Sequence, residues 1–83
     1  MKVNVLFFGA TADSAGLREA EMALDENTNA GQALERIFSA FPGLIKNHQP
    51  KSLLFAVNQE YAKGDEMIRE GDELAVFTAV SGG

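Results

Sequence analysis

The chemistry this chain could carry is concentrated at its last residues, Val80-Ser81-Gly82-Gly83. Two consecutive glycines have no side chains and no preferred backbone basin. They would form a thin arm able to thread a tunnel too narrow for other residues, with one reactive group, the α-carboxylate of Gly83. A carboxylate is inert until activated. Adenylation would turn it into a mixed anhydride, which a sulfur or nitrogen nucleophile attacks. No group in the chain is suited to that activation, so an external enzyme using ATP would supply it and the protein would be a carrier substrate. Read from the dipeptide alone, the same residues also fit a frayed end.

Other chemical resources are few. There are no cysteines, which excludes disulfides, Cys-based zinc sites, iron–sulfur ligation and a thiol nucleophile. The single histidine, His48, is expected to be a solvated loop residue rather than a ligand. Asp65, Glu66, Glu70, Asp72 and Glu73 lack EF-hand spacing and read as a solvated acidic surface that could steer a basic partner, so no metal site is expected. Met22 and Met67 read as core filler.

The elements that must position the arm follow from periodicity. Lys2 to Phe8 is a β-branched and aromatic run, with Val3, Val5 and Phe7 on one face and Lys2, Asn4, Leu6 and Phe8 on the other. Residues 9–16 read as a loop with one short helical turn at Asp13–Leu17. Arg18 to Leu24 alternates as a half-buried strand, antiparallel to the first. Asn29 and Gln32 fit a capping box, and Ala30, Leu34, Ile37, Phe38 and Phe41 recur at helical spacing until Pro42-Gly43. Residues 44–51 read as an irregular connection under which Leu44 and Ile45 tuck. Ser52 to Asn58 is a strand and Tyr61-Ala62 a short edge return. Met67-Ile68 reads as a short 3₁₀ segment, Glu70-Gly71-Asp72 as a tight turn, and Glu73 to Ala79 as the last strand.

One small domain accommodates this order. The simplest packing is α+β: a mixed sheet of about five strands, the first and last strands at its centre, with one main helix across one face. That arrangement is the β-grasp, or ubiquitin-like, architecture, with residues 1–79 as the body and 80–83 as a flexible diglycine tail. Alternation also predicts a partner surface. If Val3, Val5, Phe7, Leu74 and Val76 face the helix, then Leu6, Phe8 and Phe77 lie on the uncovered face, with Tyr61 beside them. The competing expectation is that residues 44–51 fold over and bury some of them.

Composition narrows the partners. Seven Lys and Arg against 12 Asp and Glu give a formal charge of -5, which lacks the electrostatic footprint of a nucleic-acid binder and does not suit an anionic membrane surface. No apolar run approaches the ~20 residues needed to span a bilayer. Met1-Lys2-Val3-Asn4 turns polar too early for a signal peptide, so a cytoplasmic location is expected.

Val5-Leu6-Phe7-Phe8-Gly9, Ala56-Val57-Asn58-Gln59-Glu60-Tyr61, Gly71-Asp72-Glu73-Leu74-Ala75-Val76-Phe77 and Val80-Ser81-Gly82-Gly83, in that order and spacing, resemble the family of molybdopterin synthase small subunits over essentially the whole chain. The resemblance implies a sulfur carrier in molybdenum cofactor biosynthesis. Gly83 would be adenylated by an adenylyltransferase of the ubiquitin-activating type, receive sulfur from a donor as a thiocarboxylate, and pass it to cyclic pyranopterin monophosphate to build the dithiolene. Ser81 and Gly82 would line a tunnel in the large subunit, Val80 would join the interface, and the catalytic lysines and arginines would belong to that large subunit in a heterotetramer. No cofactor would be held by the chain itself, and ATP would be used by the activating enzyme. Thr78-Ala79 stands where the family often has two prolines, which would stiffen the arm. Alternatives keep the carrier chemistry but change its destination (thiazole synthesis, tRNA thiolation, a ubiquitin-like modifier), or make the chain a β-grasp binding module with an incidental diglycine.

Overall fold

The computed structural model describes residues 1–79. Its strands are β1 (Lys2–Phe7), β2 (Glu19–Ala23), β3 (Leu53–Val57), β4 (Glu60–Tyr61) and β5 (Glu73–Thr78). Its α-helices are α1 (Ala10–Ala15), α2 (Ala30–Ala40) and α3 (Gly43–Asn47), and a 3₁₀ turn, Pro50–Ser52, leads into β3.

The strands form one mixed sheet in the order β2-β1-β5-β3-β4. The first and last strands lie side by side and parallel, with Val5 opposite Leu74 and Phe7 opposite Val76. Antiparallel neighbours flank them, β2 on β1 and β3 on β5. Period-2 alternation sends Val3, Val5, Phe7, Leu53, Phe55, Leu74 and Val76 to one face, where they bury against Ala30, Ala33 and Ile37 of α2 and Leu44 of α3. The Phe7 and Phe41 rings meet edge to face at 5.0 Å.

The start of α2 is closed on several sides. The Asn29 carboxamide oxygen accepts from Gln32 N–H at 2.8 Å, and the Gln32 side chain accepts from Asn29 N–H at 3.0 Å. The next two amides, which a helix leaves without internal partners, donate to the loop before β5: Ala30 N–H to Glu66 C=O and Gly31 N–H to Gly64 C=O. The Glu66 carboxylate in turn accepts from Lys63 and Gly64 N–H. Those amide bonds hold its pKa below the ordinary glutamate value.

Five local expectations are corrected. The 9–16 loop contains a helix beginning at Ala10, closed by Gly16 in the left-handed region with its N–H on Ala12 C=O. Segment 44–51 is not irregular: Pro42 precedes a second helical start at Gly43. On α3, Leu44 is fully buried, but the next residue turns away, leaving Ile45 47% exposed rather than tucked. Residues 67–68 form no 3₁₀ segment. Asn29 and Met67 form an isolated bridge, Ile68 is buried, and Met67 is 51% exposed rather than core filler.

Candidate functional site

Among the described residues, no element forms a second layer on the face of the sheet opposite α2. Register shows what occupies it. Leu6 lies opposite Ala75, Ala75 opposite Ala56, and Ala56 opposite Tyr61, so these four side chains form a row across β1, β5, β3 and β4. The next row, toward the C-terminal end of β5, pairs Phe77 with Leu54. The two alanines form a low floor between taller walls. The result is a groove of about 490 Å³ lined by Leu6, Phe8, Ala56, Tyr61, Ala75 and Phe77, with Gln59 and Glu73 at its polar margin. A second, mostly apolar groove of about 400 Å³ shares Phe8 and Phe77 and continues past Gly9 and Ala10 to Thr78.

The predicted surface residues Leu6, Phe8, Tyr61 and Phe77 are therefore brought together. Tyr61 is 70% exposed and Phe8 53% exposed, while Leu6 and Phe77 are half-buried. The Tyr61 and Phe77 rings lie 5.9 Å apart. Segment 44–51 does not cover them, because Leu44 anchors it in the core on the other side of the sheet. Val80, Ser81, Gly82 and Gly83 lie outside the described residues.

The face divides along the strands. Its apolar half lies toward the C-terminal end of β5. The other half is polar: Asn4 Nδ2 donates to Glu19 at 3.1 Å, and Lys2 Nζ lies 3.7 Å from Glu21. An apolar patch with a polar rim has the anatomy of a protein interface. Sequence reasoning missed the grooved shape, which depends on Ala56 and Ala75 meeting across β3 and β5. It also missed Gln59, which takes a positive φ of 72° beside Asn58 at 51° in the turn joining β3 to β4. The sequence does read Asn58-Gln59-Glu60 as a turn; what it does not show is the place of Gln59 at the groove margin.

The remaining polar candidates have structural roles. His48 is half-buried rather than free in a loop, with Nε2 2.8 Å from Ser14 Oγ. Asn47 Nδ2 also donates to Ser14 Oγ, so the cluster staples α3 to α1. Three of the acidic residues bind backbone amides: Glu66 accepts from Lys63 and Gly64 N–H, Glu70 from Lys2 N–H on β1, and Asp72 from Arg69 N–H and also from Asn58 Nδ2. Among the described residues no group of three or more His, Cys, Asp or Glu side chains could hold a metal ion. No helix among them is long and apolar enough to cross a membrane.

Comparison with known proteins adds an independent line. The model of the ThiS family matches residues 5–83. The molybdopterin synthase sulfur carrier subunit of Chlamydomonas reinhardtii is 33% identical over 85 residues, covering 100% of both chains. The subunit of the same name from Homo sapiens is 34% identical, covering 99% of this chain and 94% of its own. Among solved structures, SAMP1 from Haloferax volcanii superposes with a TM-score of 0.83 at 28% identity, covering 100% of both chains. One chain from the complex of subunits 1 and 2 of the molybdopterin-converting factor of Helicobacter pylori superposes with a TM-score of 0.71; at 20% identity that likeness concerns the fold alone.

Proposed function

The chain belongs to the ThiS family, and from that premise we propose that it is the sulfur carrier and small subunit of a molybdopterin synthase. The observation that carries this reading is the apolar groove of Leu6, Phe8, Tyr61 and Phe77 at the C-terminal end of β5, the strand that leads to Val80-Ser81-Gly82-Gly83. Relatives named as sulfur carriers align with the chain over its whole described length and beyond it to Gly83.

The proposed chemistry is brief. A Gly83 carboxylate oxygen attacks the α-phosphorus of ATP on an adenylyltransferase, and pyrophosphate leaves. The terminal sulfur of a donor persulfide attacks the acyl carbon and AMP leaves; a thiol then cleaves the S–S bond of the resulting acyl disulfide, taking the donor sulfur into a disulfide and leaving the terminus as a thiocarboxylate. Its sulfur is then transferred to cyclic pyranopterin monophosphate in the active site of the large subunit. This chain's contribution is recognition and delivery. The groove docks on the partner, Val80 extends that interface, Ser81 and Gly82 occupy the tunnel, and Gly83 carries the sulfur. A cytoplasmic heterotetramer of two large and two small subunits is the assembly proposed.

A second reading is favoured by the likeness to SAMP1, called a small archaeal modifier protein in a second structure of the Haloferax volcanii chain. In that reading the adenylated Gly83 is attacked by a lysine amine of another protein, leaving an isopeptide bond.

Intact-mass spectrometry tests both. The chain is incubated with a carrier-adenylating enzyme, ATP and a sulfur donor. A mass increase equal to replacement of one oxygen by sulfur is expected, localised to the Gly82-Gly83 fragment and lost when one residue is appended after Gly83. Lysine-linked conjugates without that increase would favour the modifier, and no change with an enzyme active on a known carrier would leave a binding module.

A further inference from the structure

Strands β1 and β5 part at their C-terminal ends, and one buried hydroxyl fills the gap. Asn4 N–H donates to Asp72 C=O at 3.0 Å. Rungs of a parallel ladder recur every two residues along a strand, so Leu6 and then Phe8 take the following ones, and Phe8 N–H is directed toward Val76 C=O. The two do not bond directly. Phe8 N–H donates to Thr11 Oγ1 at 2.9 Å, and Thr11 Oγ1 donates to Val76 C=O at 2.7 Å. Phe8 C=O, 3.0 Å away, is the alternative acceptor for the same hydroxyl proton. Thr11 is completely buried.

This inserted rung has two effects. It lets β1 turn away through Gly9, whose φ of 54° and ψ of -116° suit glycine, while leaving no buried polar group of the rung without a partner. It is also the last tie between β5 and β1. Register with β1 ends at Phe7 opposite Val76, whereas β3 continues alongside Phe77 and Thr78. Past Val76 the strand is held on one edge, and the groove of Phe8, Gly9, Ala10, Phe77 and Thr78 lies along the other.

We propose that Thr11 is a positioning residue for the C-terminal arm: its hydroxyl fixes the direction in which the chain leaves β5. The importance of that direction rests on the carrier reading above. The segment from Val76 to Ala79 reaches at most about 10 Å, so a tilt of roughly 10° at its base moves the point where the tail begins by about 2 Å. A misplacement of about 1 Å is enough to slow an enzymatic step by about a hundredfold.

The test compares full-length wild type, Thr11→Val, which replaces the hydroxyl by a methyl, and Thr11→Ser, which keeps it. Backbone N–H residual dipolar couplings are measured by NMR, and steady-state adenylation is measured with a carrier-adenylating enzyme and ATP. In Thr11→Val the couplings of Phe77, Thr78 and Ala79 should change while those of Val5 and Leu74 stay as in wild type. Its kcat for adenylation should fall about tenfold or more with KM within about threefold, because the docking groove is intact. Thr11→Ser should restore both. Wild-type couplings at residues 77–79 or an unchanged kcat in Thr11→Val would overturn the proposal, and so would a tenfold loss of kcat in Thr11→Ser, which decides the matter even if Thr11→Val does not fold. If wild type is never adenylated, the carrier reading fails instead, and the couplings alone decide whether Thr11 sets the strand end.

Discussion

Replacing Tyr61 by alanine separates partner docking from folding. Tyr61 sits on the two-residue edge strand β4 with 70% of its surface in solvent, and its ring partner in the fold is Phe77, at 5.9 Å. Complete burial of a large apolar side chain is worth about 1.5–3 kcal/mol. The fold has realised only the smaller share of this, so truncation costs roughly 0.5–1 kcal/mol of burial and at most about 1 kcal/mol more for the ring pair. The larger share is realised only when a partner covers the groove. That is about 1–2 kcal/mol, or a 5- to 30-fold weaker Kd at a factor of ten per 1.4 kcal/mol. Isothermal titration calorimetry against a molybdopterin synthase large subunit measures the second quantity, and thermal unfolding followed by circular dichroism measures the first. Ile45→Ala is the control: Ile45 is comparably exposed, at 47%, but on α3. Tyr61→Ala binding within twofold of wild type, or Ile45→Ala weakening binding as much as Tyr61→Ala, would falsify the assignment of the groove as the docking surface.

Two further outcomes follow from the packing and the charges. A Cβ at Gly43 would collide with the backbone carbonyl oxygen of Ser14. Backbone cannot rotate away, so Gly43→Ala should push α3 off α1, break the Ser14–His48 contact and cost about 1–3 kcal/mol; a melting temperature equal to wild type would contradict this close approach. Glu66 has a lowered pKa because Lys63 and Gly64 amides bind its ionised form. A lowered folded-state pKa means the carboxylate contributes stability that is fully present above the ordinary value of 4.5 and is lost as pH falls through the lower folded value. Glu66→Gln should therefore be less stable than wild type at neutral pH, with the difference shrinking below pH 4.5; a difference that stayed constant on acidification would show that the amide bonds to the ionised carboxylate are not its source.

Much of the site was legible because it is written in short-range periodicity. The alternation of Val3, Val5 and Phe7 with Leu6 and Phe8 assigns two faces to β1 without reference to the rest of the chain, and Leu74, Val76 and Phe77 do the same for β5. The capping box at Asn29 and Gln32 is equally local. Segments whose helicity depends on packing were not legible. The helix α1 is six residues long and α3 five, too short to be stable alone. They persist because Leu44 is buried in the core and Gly43 lets the two helices touch. Met67 and Ile45 were misplaced for the same reason, since hydrophobicity says a side chain prefers burial but not which neighbour rotates it outward.

The sequence by itself determined the resources of this protein: no thiol, one histidine, an acidic balance of charge, two strands apolar on one face and turning apolar along the other, and a Val-Ser-Gly-Gly end. Those facts direct attention to the main-chain terminus. Only the tertiary structure decided which side of the sheet is left uncovered, that Ala56 and Ala75 meet to hollow it into a groove, and that Thr11 reaches a carbonyl 65 residues away. The division has a physical cause. A side chain's face follows from the local repeat of its own strand, whereas coverage, groove shape and the partner of a buried hydroxyl are set by which distant strands the sheet brings side by side.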